Sequence, residues 1–587
     1  VIDPAAEAAL RERVADVLDL LRVRLAGLAA EPGPAAFYAP GPPRLRVISP
    51  LAEGADRLVA EAALTLGYGL AAALPFPQAE YEKDFPETIE PFRDLLAKAG
   101  GAVLELDGGR GTEEGRSYEA AGRLVVRHCD LLIAVWDGGP AKGRGGTAEI
   151  VRYAARHSVP VWWIGPDGGS PLWVSGLRAL HTGRFLAGAA AREALSRYLE
   201  RFIRPPPNLA KRETGMMGRM LSRPDVDPLG TLLGETKPPR WPIWKSYHWL
   251  MSLMAWPTPQ AATAPPPHAG GDVWRYWQDF YRPTDELAVS YGDRYRSSYV
   301  IVFALAAAAV ICAVTGLSLH DLVVPFTAME CLCLVLIGVL VEVNLRRGWH
   351  ARLIGYRLMA ELFRKQQALA ILGWSLPAAE AVPEVEAIDQ LLATRESWVG
   401  WYFNAAMRAA PLPRGRLAGP ALAAARDAVT GSLVTGQAAY HAQRRARSLA
   451  AAERLGAAGK LFFQATLVMV LLKLTMLAAS GLHMTGALTG HFPRAIQLVG
   501  LGAAALPAVS ACFVGIRGYA ELELLADQSA QMAVWIETAQ SRIEGLNLAA
   551  PLASQDLGAE ILDLSQLMLR DIQGWAQLFR LKAVEPG

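Results

Sequence analysis

Four apolar runs in the second half of the chain restrict its possible folds more than any other feature. Tyr299–Leu317 extends for nineteen residues and Ala495–Ile516 for twenty-two without a charged side chain. Phe326–Val341 is shorter and holds one acid, Glu330; Leu461–Leu482 holds one base, Lys473. A hydrocarbon core of about 30 Å is crossed by about 20 apolar residues in helical form. Burying four such helices inside a soluble protein fits poorly with two uncharged runs of that length. The charged fraction agrees with this reading: 19% of 587 residues, against the roughly one quarter usual for soluble domains.

The runs pair as two hairpins, separated by residues 318–325 and 483–494. Arg346, Arg347 and Arg352 follow the second run, Arg444, Arg445, Arg447 and Lys460 precede the third, and Arg517 follows the fourth. The short loops carry little positive charge, so the positive-inside tendency predicts an inner (plasma) membrane protein, multi-pass, with both termini cytoplasmic. Leu345-Arg-Arg-Gly-Trp349 closes the second run and Gly515-Ile-Arg-Gly-Tyr519 the fourth, each before a long helical pattern. This suggests a duplicated unit. Charges inside a span are costly and usually face a bundle interior, which singles out Glu330 and Lys473. Ala503, Pro507, Ala511 and Gly515 recur every four residues, a spacing that favours close helix contact, with a bend at Pro507.

The first 200 residues read differently. Strand-like segments at 45–49, 70–74, 102–106, 131–136 and 159–164 alternate with helical patterns near 55–66, 86–99, 116–128 and 146–157, which predicts a parallel sheet wrapped by helices. A helical pattern at 4–30 precedes the first strand, where a doubly wound sheet usually has a strand first. A further strand upstream of Val1 is therefore expected.

In such sheets a ligand sits beyond the carboxyl ends of the strands. Two loops there are unusual: Ser49-Pro-Leu-Ala-Glu-Gly-Ala-Asp56, and the glycine-rich stretch from Trp136 to Glu149. Gly145 and Gly146 allow close backbone approach, Thr147 is a candidate helix cap, and the helix start favours a phosphate. Ser49, Glu53, Gly54, Asp56, Asp137, Gly138, Gly145, Gly146, Thr147 and Glu149 form the expected ligand site.

Gly145-Gly-Thr-Ala-Glu149 resembles the signature of the SLOG superfamily, named for the Smf/DprA and LOG-like Rossmannoid proteins. Leu51-Ala-Glu-Gly-Ala-Asp-Arg57, Leu74-Pro-Phe-Pro77, Asp84-Phe85 and Ala134-Val-Trp-Asp-Gly138 resemble a subgroup found on bacterial membrane and conflict-system proteins. The Gly-His-Arg strand that often opens that subgroup is not in this sequence. The apolar pairs with their following helices resemble SLATT two-pass modules. The resemblance implies an α/β doubly wound Rossmann-like amino-terminal domain followed by an all-α membrane domain with four transmembrane helices in two hairpins.

What it implies for function divides. LOG-like members are phosphoribohydrolases that use a glutamate matching Glu149; others, including amino-terminal domains of TRPM-type channels, bind nucleotide-derived signals. Glu149, or Glu53, would be catalytic only if the protein is an enzyme. The leading expectation is a membrane-embedded nucleotide-signal sensor and effector, a ligand-gated channel or pore. A membrane-tethered phosphoribohydrolase or glycohydrolase and an anchored binding scaffold are the alternatives. Expected partners are the lipid bilayer, a nucleotide-type small molecule and further copies of the chain. No cofactor is required by this reading. The net charge of +2 argues against nucleic acid, and the five scattered cysteines offer no metal site.

The expected organisation is a ligand domain over 1–203, a Pro/Trp-rich connector over 204–285, a first membrane unit over 286–373, a cytoplasmic helical segment over 374–460, and a second membrane unit over 461–587. The connector's aromatic clusters, Trp241, Trp244, Tyr247, Trp249 and Trp256, then Trp274, Tyr276 and Trp277, suit either the membrane–water boundary or packing on neighbouring helices.

Overall fold

The computed structural model describes residues 4–141, 143–206, 228–235, 241–255, 271–376, 397–481 and 492–580. Lys142, Trp256, the proline clusters after Pro206, and most of the loop joining the third and fourth apolar runs lie outside them.

Strand and helix alternate at the amino-terminal end at the spacing the sequence predicts. Helix α1 (Pro4–Ala29) is followed by β1 (Arg46–Ser49), α2 (Ala55–Thr65), β2 (Gly69–Leu74), α3 (Ile89–Lys98), β3 (Val103–Glu105), α4 (Glu114–Arg127), β4 (Leu132–Val135), α5 (Thr147–Arg156) and β5 (Val161–Ile164). Two short strands, β6 (Leu172–Val174) and β7 (Leu186–Ala187), lead into α6 (Gly188–Ile203). β1, β2 and β3 pair in parallel in one sheet. β4 and β5 pair in parallel in a second, extended by β6 and β7 in antiparallel fashion.

Strands covered on both faces are apolar at successive positions, and the side-chain period of two sorts them. On β2, Leu70, Ala72 and Leu74 pack with Phe92 and Leu95 of α3, whereas Ala73 joins Leu104 and Leu106 on the opposite face. On β5, Trp162 and Ile164 meet α1 and α6, and Val161 meets α5.

The helical region begins with α7 (Ser246–Met254) and α8 (Gly271–Ser318), then α9 (Val323–Arg347) and α10 (Trp349–Ala370). It continues through α11 (Ser397–Ala409), α12 (Gly419–Val429), a π turn at 430–435, α13 (Gly436–Gly481), α14 (Phe492–Ala520), α15 (Leu522–Glu544) and α16 (Ala553–Arg580). Four helices, α8, α9, the one ending in α13, and the one beginning in α14, are long and apolar enough to cross a membrane. α8 packs on α9, α10 and α14, and α13 packs on α14 and α15. Leu332, Leu334 and Val335 on α9, with Phe463, Leu467 and Val468 on α13, face outward and are exposed.

The expected divisions after 285 and 460 fall inside continuous helices. Pro283 is taken into α8 without ending it, and the alanine-rich stretch before 460 runs straight into the apolar part of α13. Each apolar pair is followed by a single left-handed residue and then an inner helix: Gly348 (φ 57°) before α10, and Glu521 (φ 48°) before α15. The second break falls three residues beyond Gly518, the position that the paired motifs align with Gly348.

The two regions share one core. β8 (Gly415–Arg416) adds to β3 in parallel, and the amide of Leu417 donates to the Glu105 carbonyl at 3.1 Å. Leu104, Leu106 and Leu124 are buried in one cluster with Trp374, Leu376, Leu417 and Leu557. The second face of the first sheet is thus closed by the helical region.

Candidate functional site

The loop after β1 is locked by its own residues. The Ser49 hydroxyl accepts from the Leu51 amide at 3.0 Å, and the Asp56 carboxylate accepts from the Ala52 amide at 3.3 Å. Leu51 (φ 58°) and Gly54 (φ 96°) both take left-handed conformations. Arg57 fixes this turn from beneath: it donates to the Leu51 and Thr88 carbonyls at 3.1 Å each, and its guanidinium lies 4.4 Å from the Phe85 ring centre. Burial pushes the Asp56 carboxyl up to about 6, against the Ala52 amide and the Arg57 charge. Glu53 is exposed.

The second loop is held by tryptophans and glycines. Trp136 and Trp163 pack at a tilt of 37° with ring centres 4.7 Å apart, and their indole nitrogens donate to the Gly139 and Trp136 carbonyls at 3.1 and 2.7 Å. Asp137 accepts from the Gly139 amide at 2.9 Å, while Gly138 (φ 76°) turns beside Trp163. Gly145 (φ 82°) is required: a Cβ there would meet the Glu119 amide nitrogen at 2.6 Å.

One expected role changes. Thr147 is the first helical residue of α5, not its cap; Gly146 occupies the cap position and no side chain bonds there. The extended conformation of Gly146 already opens the helix, so the threonine hydroxyl falls one residue late to reach the first-turn amides. Glu149 reaches back to accept from the Gly145 amide at 2.8 Å, so its carboxylate occupies a donor that a phosphate would otherwise use.

A third loop, Asp107-Gly-Gly-Arg-Gly111 after β3, belongs to the same edge. Its run of glycines, Gly108, Gly109 and Gly111, is the signal in the sequence that points to it. Arg110 pairs with Asp84 (2.7 Å), Glu114 (2.7 Å) and Glu80 (3.1 Å), and Tyr118 donates to Asp84 at 2.6 Å. An open cavity of about 520 Å³ lies here, lined by Pro77, Ala79, Glu80, Lys83, Gly108 and Arg110. None of the ten residues expected to bind ligand lines it.

Asp107 connects this edge to the helical region. Its carboxylate accepts from the Ser554 amide at 2.8 Å and from the Ser554 hydroxyl, and its carbonyl accepts from the Leu552 amide at 2.9 Å. A carboxylate from the α/β region therefore caps α16. On the far side, His128 Nε2 lies 2.9 Å from the Gly373 carbonyl, the Ser375 hydroxyl donates to the Arg127 carbonyl at 2.6 Å, and Arg127 stacks 3.4 Å from the Trp374 ring centre.

Among the apolar helices, Lys473 lies beside Gly500 of α14, where a Cβ would come within 3.1 Å of its ammonium nitrogen. No ion pair joins it to Glu330 among the described residues. α14 runs through Pro507, and Gly515 makes the close approach expected of the small residues: a Cβ there would meet Phe303 of α8 at 2.5 Å. Among the described residues no group of three His, Cys, Asp or Glu side chains is placed to hold a metal ion.

No protein-family model, no curated protein and no solved structure matches this chain. The class it defines is therefore structural: an α/β region with parallel strands, sharing its core with a helical region whose four longest apolar helices suit a membrane.

Proposed function

We propose that this protein is a membrane-embedded sensor and effector in which a cytoplasmic, doubly wound, SLOG-like domain binds a nucleotide or nucleotide derivative and gates a channel or pore. The four apolar helices cross the inner membrane as two hairpins, with both termini cytoplasmic, and several copies enclose the path, since four spans rarely do so alone. The observation that carries this reading is the fastening of the sheet's carboxyl edge to α16 through Asp107 and Ser554. A ligand at that edge is one loop away from a contact shared with the helical region. Phosphate bound at the α5 start competes with the Glu149 carboxylate for the Gly145 amide, and loop movement passes through the 107–111 turn to α16. Gating requires that the ligand bind one arrangement better than the other.

The hydrolase reading keeps one observation in its favour: an Asp56 carboxyl pushed up to about 6 suits a general acid at neutral pH. One experiment separates the two. The full-length protein is incubated with nucleotides, NAD, ADP-ribose and cyclic dinucleotides, and thermal stabilisation and ligand breakdown are followed together. Stabilisation without breakdown, followed by ligand-dependent liposome flux, is the expected result. Breakdown lost in Glu149→Gln or Asp56→Asn makes it an enzyme, and flux that never responds to a stabilising ligand leaves a scaffold.

A further inference from the structure

Residues 241–255 form a short 3-10 turn followed by α7, and the segment is apolar on two sides. The inward side is anchored. Trp244 packs edge-on against Trp349 with ring centres 5.0 Å apart, Tyr247 against Tyr299 at 6.0 Å, and Met251 and Ala255 are buried. Ser297 ties the backbone down, donating to the Trp244 carbonyl at 2.8 Å and accepting from the Tyr247 amide at 3.3 Å. His248 meets Asp293 at 2.6 Å. The outward side carries Trp241, Ile243, Trp249 and Leu253, which are 64, 51, 59 and 69% exposed.

A helix apolar all round is normally buried on every side. Two tryptophans, an isoleucine and a leucine left outside within so short a segment mark a surface that something else covers. Its level in the molecule identifies what. Tyr299 opens the first apolar run, and Trp349 stands two residues past Arg347, where the second apolar helix ends. The inward anchors therefore hold the segment where both helices leave their apolar stretches. In a membrane-embedded chain that level is the headgroup layer, where tryptophan concentrates and segments of this kind lie in the plane. Exposed Lys245 and Arg347 bring positive charge to the same level, beside Arg346 in its pair with Glu342, which suits anionic headgroups.

We propose that residues 241–255 are an interfacial anchor whose Trp241, Ile243, Trp249 and Leu253 side chains insert into the headgroup layer of an anionic bilayer. The proposal rests on the membrane reading of the four long helices. Its consequence is mechanical: the anchor holds the 293–299 turn of α8 at a fixed depth, so movement of the α/β region is transmitted against the plane of the bilayer.

The test uses the full-length protein in phosphatidylcholine–phosphatidylglycerol vesicles, with photoreactive benzoylphenylalanine replacing Leu253 or, in a second variant, Trp249. Leu334 and Val468 carry the same probe as references for the spans, and His181 as a reference for the α/β region. Lipid adducts at 253 and 249, comparable in yield to those at 334 and 468 and absent at 181, are expected. Adducts at 334 and 468 with none at 253 and 249, or a 253 adduct to a second copy of the chain, overturn the anchor and leave the spans standing. No lipid adduct at any position overturns both.

Discussion

Helices α10 and α15 occupy equivalent places in the two halves of the helical region, each following an apolar pair and a left-handed residue, yet their surroundings are opposite. α15 buries Leu522, Leu525, Ala526, Ser529, Met532, Ile536, Ala539 and Ile543 along one side and leaves Glu523, Asp527 and Glu537 exposed on the other. That is the ordinary amphipathic arrangement. α10 is buried around almost its whole circumference, charged residues included: Glu361 is 2% and Lys365 0% exposed. There Glu361 accepts from Lys365 at 2.6 Å and from Arg357 at 2.8 Å, and also pairs with Arg364. Nearby, Arg352 meets Glu235 at 2.6 Å, and Tyr291 and Tyr356 both donate to that carboxylate. The two helices therefore share a place in the backbone plan but not an environment. α10 is interior because α8, α9, α11 and α16 all pack on it, whereas α15 packs on α13 and α16.

The largest expected effect tests that contrast directly. Burial raises the Glu361 carboxyl, but the charges of Arg364, Lys365 and Arg357 outweigh it and hold it well below the usual range. Glu361→Gln removes the partner of a fully buried ammonium and is expected to cost about 3–5 kcal/mol, read as thermal unfolding of the full chain in detergent. Adding Lys365→Met should recover most of the loss. Glu523→Gln, which removes the exposed Arg517 pair on α15, should stay within about 0.5 kcal/mol. Equal losses at 361 and 523 would abolish the distinction. Next in size is Gly558→Ala on α16, whose Cβ would meet the Trp374 ring nitrogen at 2.2 Å just beyond α10. Overpacking there should cost about 1–3 kcal/mol. It should also loosen the Ser375–Arg127 contact, visible as faster amide exchange at 373–376.

How much of this was legible beforehand depended on whether the signal was local. The five parallel strands and the helices between them follow from periods of two and 3.6, and the four apolar helices from length and composition. The α10 cluster was not legible. Glu361-Leu-Phe-Arg-Lys-Gln-Gln367 has the spacing of a solvated helix face with i,i+4 pairs, and only the packing of α8, α11 and α16 around it turns it inward. The same holds for the site. The glycines and acids after β1 and β4 were identifiable, but Asp107 gained its role from Ser554, hundreds of residues away. β8, two residues long, carried no periodicity at all.

A smaller effect separates the two glycines that the paired motifs align. Gly348 sits at φ 57° with nothing within 4 Å of an added Cβ, so Gly348→Ala costs only the left-handed backbone, about 1 kcal/mol. Gly518 lies inside α14, exposed and equally open, so Gly518→Ala should stabilise by about 0.5–1 kcal/mol through helix propensity. Opposite signs in thermal unfolding are expected; two losses would mean that the second break belongs at 518 after all.

The last prediction concerns the contact beyond α10, which holds a histidine, whereas the contact beyond α15 is made through Asp107. Burial lowers the His128 imidazole to about 4, with the Arg46 and Arg127 charges acting the same way and the Gly373 carbonyl opposing them. The folded value lies below the ordinary 6.5, so the folded chain binds fewer protons than the unfolded chain between these limits. The contribution is complete above about pH 6.5 and is lost as pH falls towards 4. Proteolysis in the 371–376 segment should therefore rise on acidification through this window, while cleavage near Gly545 after α15 should not. In His128→Gln, which keeps a donor for Gly373 without a titrating ring, the rise at 371–376 should flatten. A rise of equal size at both sites, unchanged in the variant, would place the acid sensitivity elsewhere and make the two inner helices equivalent in this respect.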